Sequence, residues 1–234
     1  MCSPSRQAVP EQMDWQALRL SLELAIVTLL VLLPCGLLLA RWLAYRHFVG
    51  KSIVEAAVVL PLVLPPTVLG YYLLVALGAS SPLGLWMQQT FGVVLTFNFA
   101  GLVIASVIFN IPFMVQPLQR AFEAIPSNLA EAAAVSGLSA WQTFLRVELP
   151  LAWPGLLSAV VLTFVHTLGE FGVVLMIGGN IPGQTRTIAI SIYDRVQAFD
   201  LASADRMALL LLLLSLVAVA ASYFAAARMG KPRV

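Results

Sequence analysis

The chain has 234 residues, of which 60% are hydrophobic and only 10% are charged, and its mean hydropathy is +0.93. A water-facing surface usually carries about 25–35% charged residues, so this composition excludes an ordinary soluble domain. The net charge of +2 gives no broadly basic surface for nucleic acid, and Cys2 and Cys35 lack the spacing of metal ligands. We therefore predict an all-α integral membrane protein with no metal site.

Five apolar segments along the chain are long enough to cross a lipid bilayer. A helix needs about 20 residues to span the roughly 30 Å of hydrocarbon. The segments cover residues 18–43, 53–77, 93–118, 154–177 and 207–227. We predict that each forms one transmembrane helix, in a single domain that spans 1–234 and has an external tail at about 1–16.

The basic residues predict the orientation of the chain, because cytoplasmic loops are enriched in Lys and Arg. The second loop, 78–92, contains neither. Most of them flank the first loop, lie in the third loop or end the chain: Arg41, Arg46, Lys51, Arg120, Arg146, Arg228, Lys231 and Arg233. This pattern places the third loop and the C-terminus in the cytoplasm and the N-terminus outside. Three arginines in the fourth loop, Arg186, Arg195 and Arg206, oppose that assignment.

Prolines interrupt the second segment, "LPLVLPPTVLGYYLL", at positions 61, 65 and 66. Each proline removes a backbone donor and clashes with the preceding turn, so we predict that this helix bends or breaks. Two interpretations remain open. The break either shapes helix packing alone or lines a path across the membrane.

The third loop, 120–153, is the longest of those on the predicted cytoplasmic side. Residues 129–135 are rich in alanine and favour a short helix outside the bilayer, and Gly137 is a typical helix terminator. Small side chains at Ala132 and Ala133 allow another protein to approach the backbone closely, and Glu131 supplies one charge. Leu149 and Pro150 then return the chain to the membrane.

The spacing of these residues resembles the EAA loop of ABC importer permeases. The matching positions are Glu131, Ala132, Ala133, Gly137, Val147, Leu149 and Pro150, with valine where isoleucine is commoner. The resemblance implies a type I ABC importer permease fold and a coupling helix that docks in a cleft of a cytoplasmic ATPase. The chain has no GxxxxGK[ST] phosphate-binding motif. We therefore expect no enzyme activity and no cofactor on this chain, with ATP and magnesium on the partner.

Polar side chains inside the apolar segments are the next candidates for function: Asn110, Thr163, His166 and Glu170. An intramembrane glutamate costs about 2.5 kcal/mol or more, so Glu170 is expected to face the bundle interior or a wet cavity. In a straight helix His166 and Glu170 lie one turn apart and can pair. For all four residues, bundle packing through hydrogen bonds and contact with a permeating solute both remain open.

Three further phrases, "LPLVLPP", "LGEFG" and "NIPGQTRT", resemble the sulfate and molybdate branch of these permeases, and the short chain with five crossings is most similar to the molybdate permease family. The resemblance implies a homodimer in the bacterial inner membrane with two ATPase subunits and an extracytoplasmic oxyanion-binding protein. Gln184 and Arg186 are candidates for the side that meets the binding protein, although a lone loop arginine is more often simply solvated.

Other functions remain as alternatives. A tungstate, sulfate or thiosulfate permease fits the same motifs, since these substrates are also oxyanions. An ATP-independent secondary transporter is more remote because the chain shows neither internal repeats nor a charged relay. A membrane enzyme would need a convergent catalytic set, and His166 with Glu170 is too small a set.

Overall fold

The computed structural model describes residues 13–229, and within that range the chain is helical without strands. The predicted external tail at 1–16 therefore lies mostly outside the described residues, as do Lys231 and Arg233. The helices are α1 (Trp15–Tyr45), α2 (Lys51–Val63), α3 (Pro66–Leu77), α4 (Pro82–Phe91), α5 (Phe99–Glu123), α6 (Ser127–Val135), α7 (Ala140–Thr143), α8 (Leu149–Leu151), α9 (Trp153–Gly169), α10 (Gly172–Gly178), α11 (Ile188–Gln197) and α12 (Leu201–Met229). A π-helical turn, Phe144–Glu148, joins α7 to α8.

Three helices are by themselves long and apolar enough to cross a membrane, namely α1, α5 and α12. Two bent pairs pass the same test when each pair counts as one span, α2 with α3 and the run Ala140–Leu151 with α9. The described residues thus contain up to five candidate spans. The fold class that we predicted, an all-α membrane protein, is confirmed, and the five predicted crossings equal the upper count of these spans.

The second span breaks where the prolines predict. The axes of α2 and α3 differ by 109°. Leu64 and Pro65 have extended backbones between the two helices, and Pro66 begins α3 at a position where its missing N–H is not needed. Pro61 stays inside α2. The double proline, rather than each proline, therefore determines the break.

The fourth span differs from the continuous helix expected at 154–177. Helix α9 ends at Gly169, Glu170 has an extended backbone, and α10 begins at Gly172. The Glu170 carboxylate accepts a hydrogen bond of 3.0 Å from the backbone N–H of Val173, which satisfies a free donor in the first turn of α10. The glycines on both sides and this local cap favour two helices over one.

The third span begins later than expected, at Phe99 instead of residue 93. Asn98 caps the helix, because its side-chain oxygen accepts a hydrogen bond of 2.9 Å from the backbone N–H of Gly101. Phe97, just before the cap, has a positive φ of 58°. Apolar composition extends the predicted segment, whereas the cap sets the real boundary.

Helices α1, α5 and α9 form the centre of the bundle, where small residues permit close packing. Gly36 of α1 lies against the Met114 side chain of α5, and Gly155 of α9 lies against Ala121. The half-helices α3 and α10 pack on each other through Gly70, whose position faces Met176. By contrast, only 6% of the apolar window of α12 is buried, so this helix faces outward.

Candidate functional site

Helix α6 lies in the third loop and carries the residues of the EAA pattern. Glu131 and Ala132 are exposed, and Val135 is 90% exposed. Ala133 is buried at 6% exposure on the opposite side, where α6 packs on α7 and on the π-helical turn. The loop itself therefore supports one face of α6 and leaves the face with Glu131 and Ala132 free to contact a partner.

The turn after α6 is fixed by its backbone. Gly137 has a φ of +77°, and the N–H of Leu138 donates to the carbonyl of Ala133 at 3.1 Å, as in a Schellman motif. Ser139 then caps α7 through a capping box with Gln142. The relative placement of α6 and α7 is thus set by local hydrogen bonds.

The segment from α7 to α8 returns the chain to the bundle. Trp141 is exposed, whereas Phe144 is buried with its ring centroid 6.4 Å from that of Phe122 on α5. Leu149 packs against the same apolar cluster, and Pro150 is exposed. A bend of 74° separates this segment from α9. The two ends of the EAA pattern, α6 and residues 149–150, are therefore connected through a packed segment.

An ion pair that the motif does not include holds this segment to α1. Arg41 donates from Nε to Glu148 Oε2 at 2.5 Å and from Nη2 to Glu148 Oε1 at 2.9 Å. Glu148 lies outside the EAA pattern, and Arg41 indicates only topology when the sequence is taken alone. The available signal was a lone acid next to Leu149 and Pro150, at the point where the chain re-enters the membrane.

Two polar residues of the membrane segments, Asn110 and His166, meet between α5 and α9. The His166 Nδ1 lies 3.1 Å from Asn110 Oδ1, and the Asn110 amide donates to the carbonyl of Ser106 at 2.8 Å. The His166 ring stacks on Phe113, with centroids 3.8 Å apart, and on Phe109 at 4.9 Å. Asn110 is thus the partner that orients the His166 ring.

The expected pairing of His166 with Glu170 is wrong. It assumed a straight helix through both residues, but α9 ends between them and the Glu170 carboxylate turns to the N–H of Val173. Asn110 and Thr163 have no exposed surface, Glu170 is buried, and His166 is partly exposed. The structure therefore brings Asn110 and His166 together and places Glu170 in a separate, capping role.

The segment between α10 and α11 holds the two residues predicted for the binding-protein side. Arg186 is engaged by its neighbours, with its Nε 2.6 Å from Asn180 Oδ1 in the same segment and 3.7 Å from Asp194 Oδ2 on α11. Gln184 is exposed and lines an open groove of about 330 Å³ together with Glu23 of α1 and Asn98. Of the two, Gln184 is the side chain that is available for contact.

Comparison with known proteins identifies the family. A family model described as "Binding-protein-dependent transport system inner membrane component" matches residues 33–234. The molybdenum transport system permease protein ModB of Azotobacter vinelandii is 50% identical over 211 residues, which are 90% of this chain and 93% of that protein. ModB of Haemophilus influenzae is 37% identical over 220 residues, 94% of this chain and 96% of its own. The chain belongs to the ModB family of permeases.

Other similarities of this ModB-family permease are more distant. The sulfate transport system permease protein CysT of Escherichia coli is 35% identical over 182 residues, which cover 78% of this chain and 65% of CysT. Two crystal structures of a bacterial alginate ABC transporter match with TM-scores of 0.75 and 0.74 at 21% identity, over 92% and 94% of this chain and 79% and 80% of theirs. At that identity the likeness shows the fold, which is the type I importer permease fold.

Family membership shows that ATP hydrolysis takes place on a partner subunit. The ModB-family permease is a multi-pass protein of the inner membrane, and a partner ATPase hydrolyses ATP in ABC transporters of this kind. Importers of this class also use a periplasmic binding protein. Within the residues that the structure describes, no group of three or more His, Cys, Asp or Glu side chains is placed to hold a metal ion.

Proposed function

We propose that this chain is the membrane-spanning subunit of an ATP-driven importer for molybdate. The observation that carries the proposal is the 50% identity to ModB of Azotobacter vinelandii over nearly the full length of both chains. The exposed α6, supported on one face only, provides the surface that such a subunit needs for its ATPase.

The ATPase contact in this proposal is made by α6 and by the return of the loop to the membrane. The residues assigned to it are Glu131, Ala132, Ala133, Gly137, Leu149 and Pro150. Exposed Glu131 and Ala132 contact the ATPase, and buried Ala133 supports α6 from behind. Gly137 ends the helix through its positive φ. Leu149 and Pro150 anchor the loop at the bundle.

Transport then follows by alternating access in a homodimer with two ATPase subunits. Closure of the ATPases on ATP and magnesium moves the two coupling loops, and the bundles open toward the binding protein as the cytoplasmic side closes. In this proposal the N-terminus lies outside and the C-terminus lies in the cytoplasm. Residues 1–234 act as one transmembrane domain.

We assign the intramembrane polar residues to two roles. Asn110 joins α5 to α9 through its contact with His166, and Thr163 packs inside the bundle without exposed surface. His166 is the pathway candidate because its ring is partly exposed while Asn110 fixes it from one side. Glu170 keeps its capping role. On the outer side, exposed Gln184 contacts the binding protein and Arg186 stabilises the loop that presents it.

Sulfate is the second candidate substrate, and the identity to CysT of Escherichia coli favours it over other oxyanions. Tungstate is a third, because it shares the tetrahedral geometry and the charge of molybdate. Substrate competition therefore has to be part of the test.

Metal uptake measured by mass spectrometry tests the proposal. Cells that lack this chain, cells with the chain restored, and restored cells that lack the ATPase subunit are given trace molybdate, with excess sulfate or tungstate as competitor. We expect molybdenum accumulation only when both chain and ATPase are present, without competition from sulfate. Sulfur uptake that depends on the chain would assign it to sulfate instead. Uptake that persists without the ATPase would point to a secondary transporter.

A further inference from the structure

Helix α1 is attached to the coupling loop by a charge pair that is largely out of solvent. The Glu148 side chain is 5% exposed and that of Arg41 is 33% exposed, and two hydrogen bonds join them. A two-pronged arginine–carboxylate pair fixes orientation as well as distance. This contact therefore has one preferred geometry. Removing one partner would leave the other charge without compensation in a largely buried place.

Aromatic rings from both α1 and the coupling loop lie beside Arg41. The guanidinium carbon of Arg41 lies 5.4 Å from the ring centroid of Phe144 in the π-helical turn and 5.7 Å from that of Tyr45 on α1. The Tyr45 hydroxyl in turn donates to the carbonyl of Phe122 at 3.3 Å. The inner end of α1, the end of α5 and the coupling loop thus meet at Arg41.

The other end of α1 is hydrogen-bonded to α11. Asp14 caps α1 through Ala17 and also accepts a hydrogen bond of 3.0 Å from the Ser191 hydroxyl on α11. Ser21 accepts a buried hydrogen bond of 2.8 Å from the N–H of Ile188, the first residue of α11. Helix α11 follows directly after the segment that contains Gln184.

One unbroken helix therefore connects the two sides of the protein. At about 1.5 Å per residue, the 31 residues of α1 span about 46 Å, which exceeds the hydrocarbon thickness of a bilayer. Arg41 attaches its inner end to the coupling loop, and Asp14 and Ser21 attach its outer end to α11. Packing of α1 along α5 supports it between these points.

We propose that α1 transmits the movement of the coupling loop to α11, with Arg41 and Glu148 as the positioning residues that attach the helix to the loop. The inference rests on the proposed function as a coupled importer. Neither residue touches the solute or ATP. Their role is to make the position of α11 depend on the state of the ATPase.

The test uses the full transporter with its ATPase and binding protein in proteoliposomes, with molybdate as substrate. We expect Arg41→Gln and Glu148→Gln to assemble normally with the ATPase. Both variants should lower molybdate uptake by about tenfold, a size typical of coupling between sites. They should lower by the same factor the stimulation of ATP hydrolysis by the binding protein, which is the rate with binding protein divided by the rate without it. The exchanged pair Arg41→Glu with Glu148→Arg should recover part of both readouts.

A second readout needs no substrate. A spin label replaces exposed Gln197 of α11 in a chain whose own cysteines are changed to serine, and the distance between labels on the two copies is measured with and without ATP. We expect ATP to change this distance in the otherwise unmodified chain and not in Arg41→Gln or Glu148→Gln. Arg19→Gln is the matched control. It removes the exposed pair with Glu23 on the same helix, where the two side chains are 82% and 49% exposed, and should change nothing.

Several outcomes would overturn the inference. In the distance measurement, these are a normal ATP response in both single variants or no response in the unmodified chain. In the transport assay, the inference fails if the exchanged pair transports no better than the single variants. If Glu148→Gln fails to assemble with the ATPase, the pair is a folding element instead. An unmodified transporter that responds to ATP at α11 without importing molybdate would contradict the proposed substrate alone.

Discussion

Gly137 is the residue at which the shape of the coupling loop depends on backbone conformation. Its φ of +77° belongs to the left-handed region, and no atom lies within 4 Å of the place where a Cβ would stand. A residue with a side chain at this position is therefore strained in its backbone, but its Cβ meets no steric clash. The cost is about 1–2 kcal/mol for an L-residue in this region.

Gly137→Ala should therefore lower uptake of molybdate several-fold, because a strained turn no longer holds α6 against α7. Gly92→Ala is a matched control. Gly92 has a φ of +69°, equally open surroundings and a place at the end of α4, outside the coupling loop. Both variants should lose about the same stability, roughly 1–2 kcal/mol, in thermal unfolding. Equal uptake by the two variants would show that the turn has no special role in coupling.

The break between α9 and α10 shows how an element boundary is decided by competing local interactions. Composition favours a single apolar helix through residues 154–177. The Glu170 side chain instead satisfies the first turn of α10, and Gly70 and Met176 then bring α10 against α3. Two half-helices that each follow a break thus pack on one another inside the bundle.

Glu170→Ala should destabilise the purified protein by about 1 kcal/mol, the usual cost of losing a helix cap. Glu170→Gln should stay close to the unmodified protein, since its side-chain oxygen can accept the same hydrogen bond from Val173. Thermal unfolding in detergent measures both. A loss in Glu170→Gln as large as that in Glu170→Ala would mean that the negative charge, and not the cap, stabilises this position.

The whole molecule leaves large apolar faces uncovered, on α12 and on the two halves of the second span. Exposed side chains such as Leu212, Leu216 and Phe224 on α12 suit lipid, and those on α2 and α3 include Leu60, Val68 and Tyr72. A bilayer, together with a second copy of the chain in the proposed dimer, accounts for these surfaces. Which ends of these helices face the cytoplasm follows from the orientation inferred from the basic residues.

Cysteine labelling in whole cells tests that orientation. Ser80 in the second loop and Ser127 at the start of α6 are both exposed, and each differs from cysteine by one atom. In a chain with Cys2 and Cys35 changed to serine, a membrane-impermeant maleimide should label Ser80→Cys in intact cells and Ser127→Cys only after permeabilisation. The reverse pattern would invert the assignment and place α6 outside, where no ATPase could reach it.

The sequence by itself determined the fold class, and it predicted five spans and the coupling surface on α6. These properties depend on composition over about 20 residues, on proline chemistry at Pro65 and Pro66, and on fixed spacing around Glu131 and Gly137. Each is local along the chain, so no knowledge of neighbouring helices is needed to infer it. The same local signals also favour the break in the second span and the end of α6 at Gly137.

Only the tertiary structure decided which distant residues meet. Arg41 and Glu148 are 107 positions apart, and Asn110 and His166 are 56 apart. Helical periodicity places each residue on a face of its own helix, but the packing of α1, α5 and α9 determines which faces meet. The expected pairing of His166 with Glu170 failed for the same reason. The helix on which that pairing depended ends at Gly169, where Glu170 instead accepts from Val173, and the packing of α5 supplied Asn110 as the partner of His166.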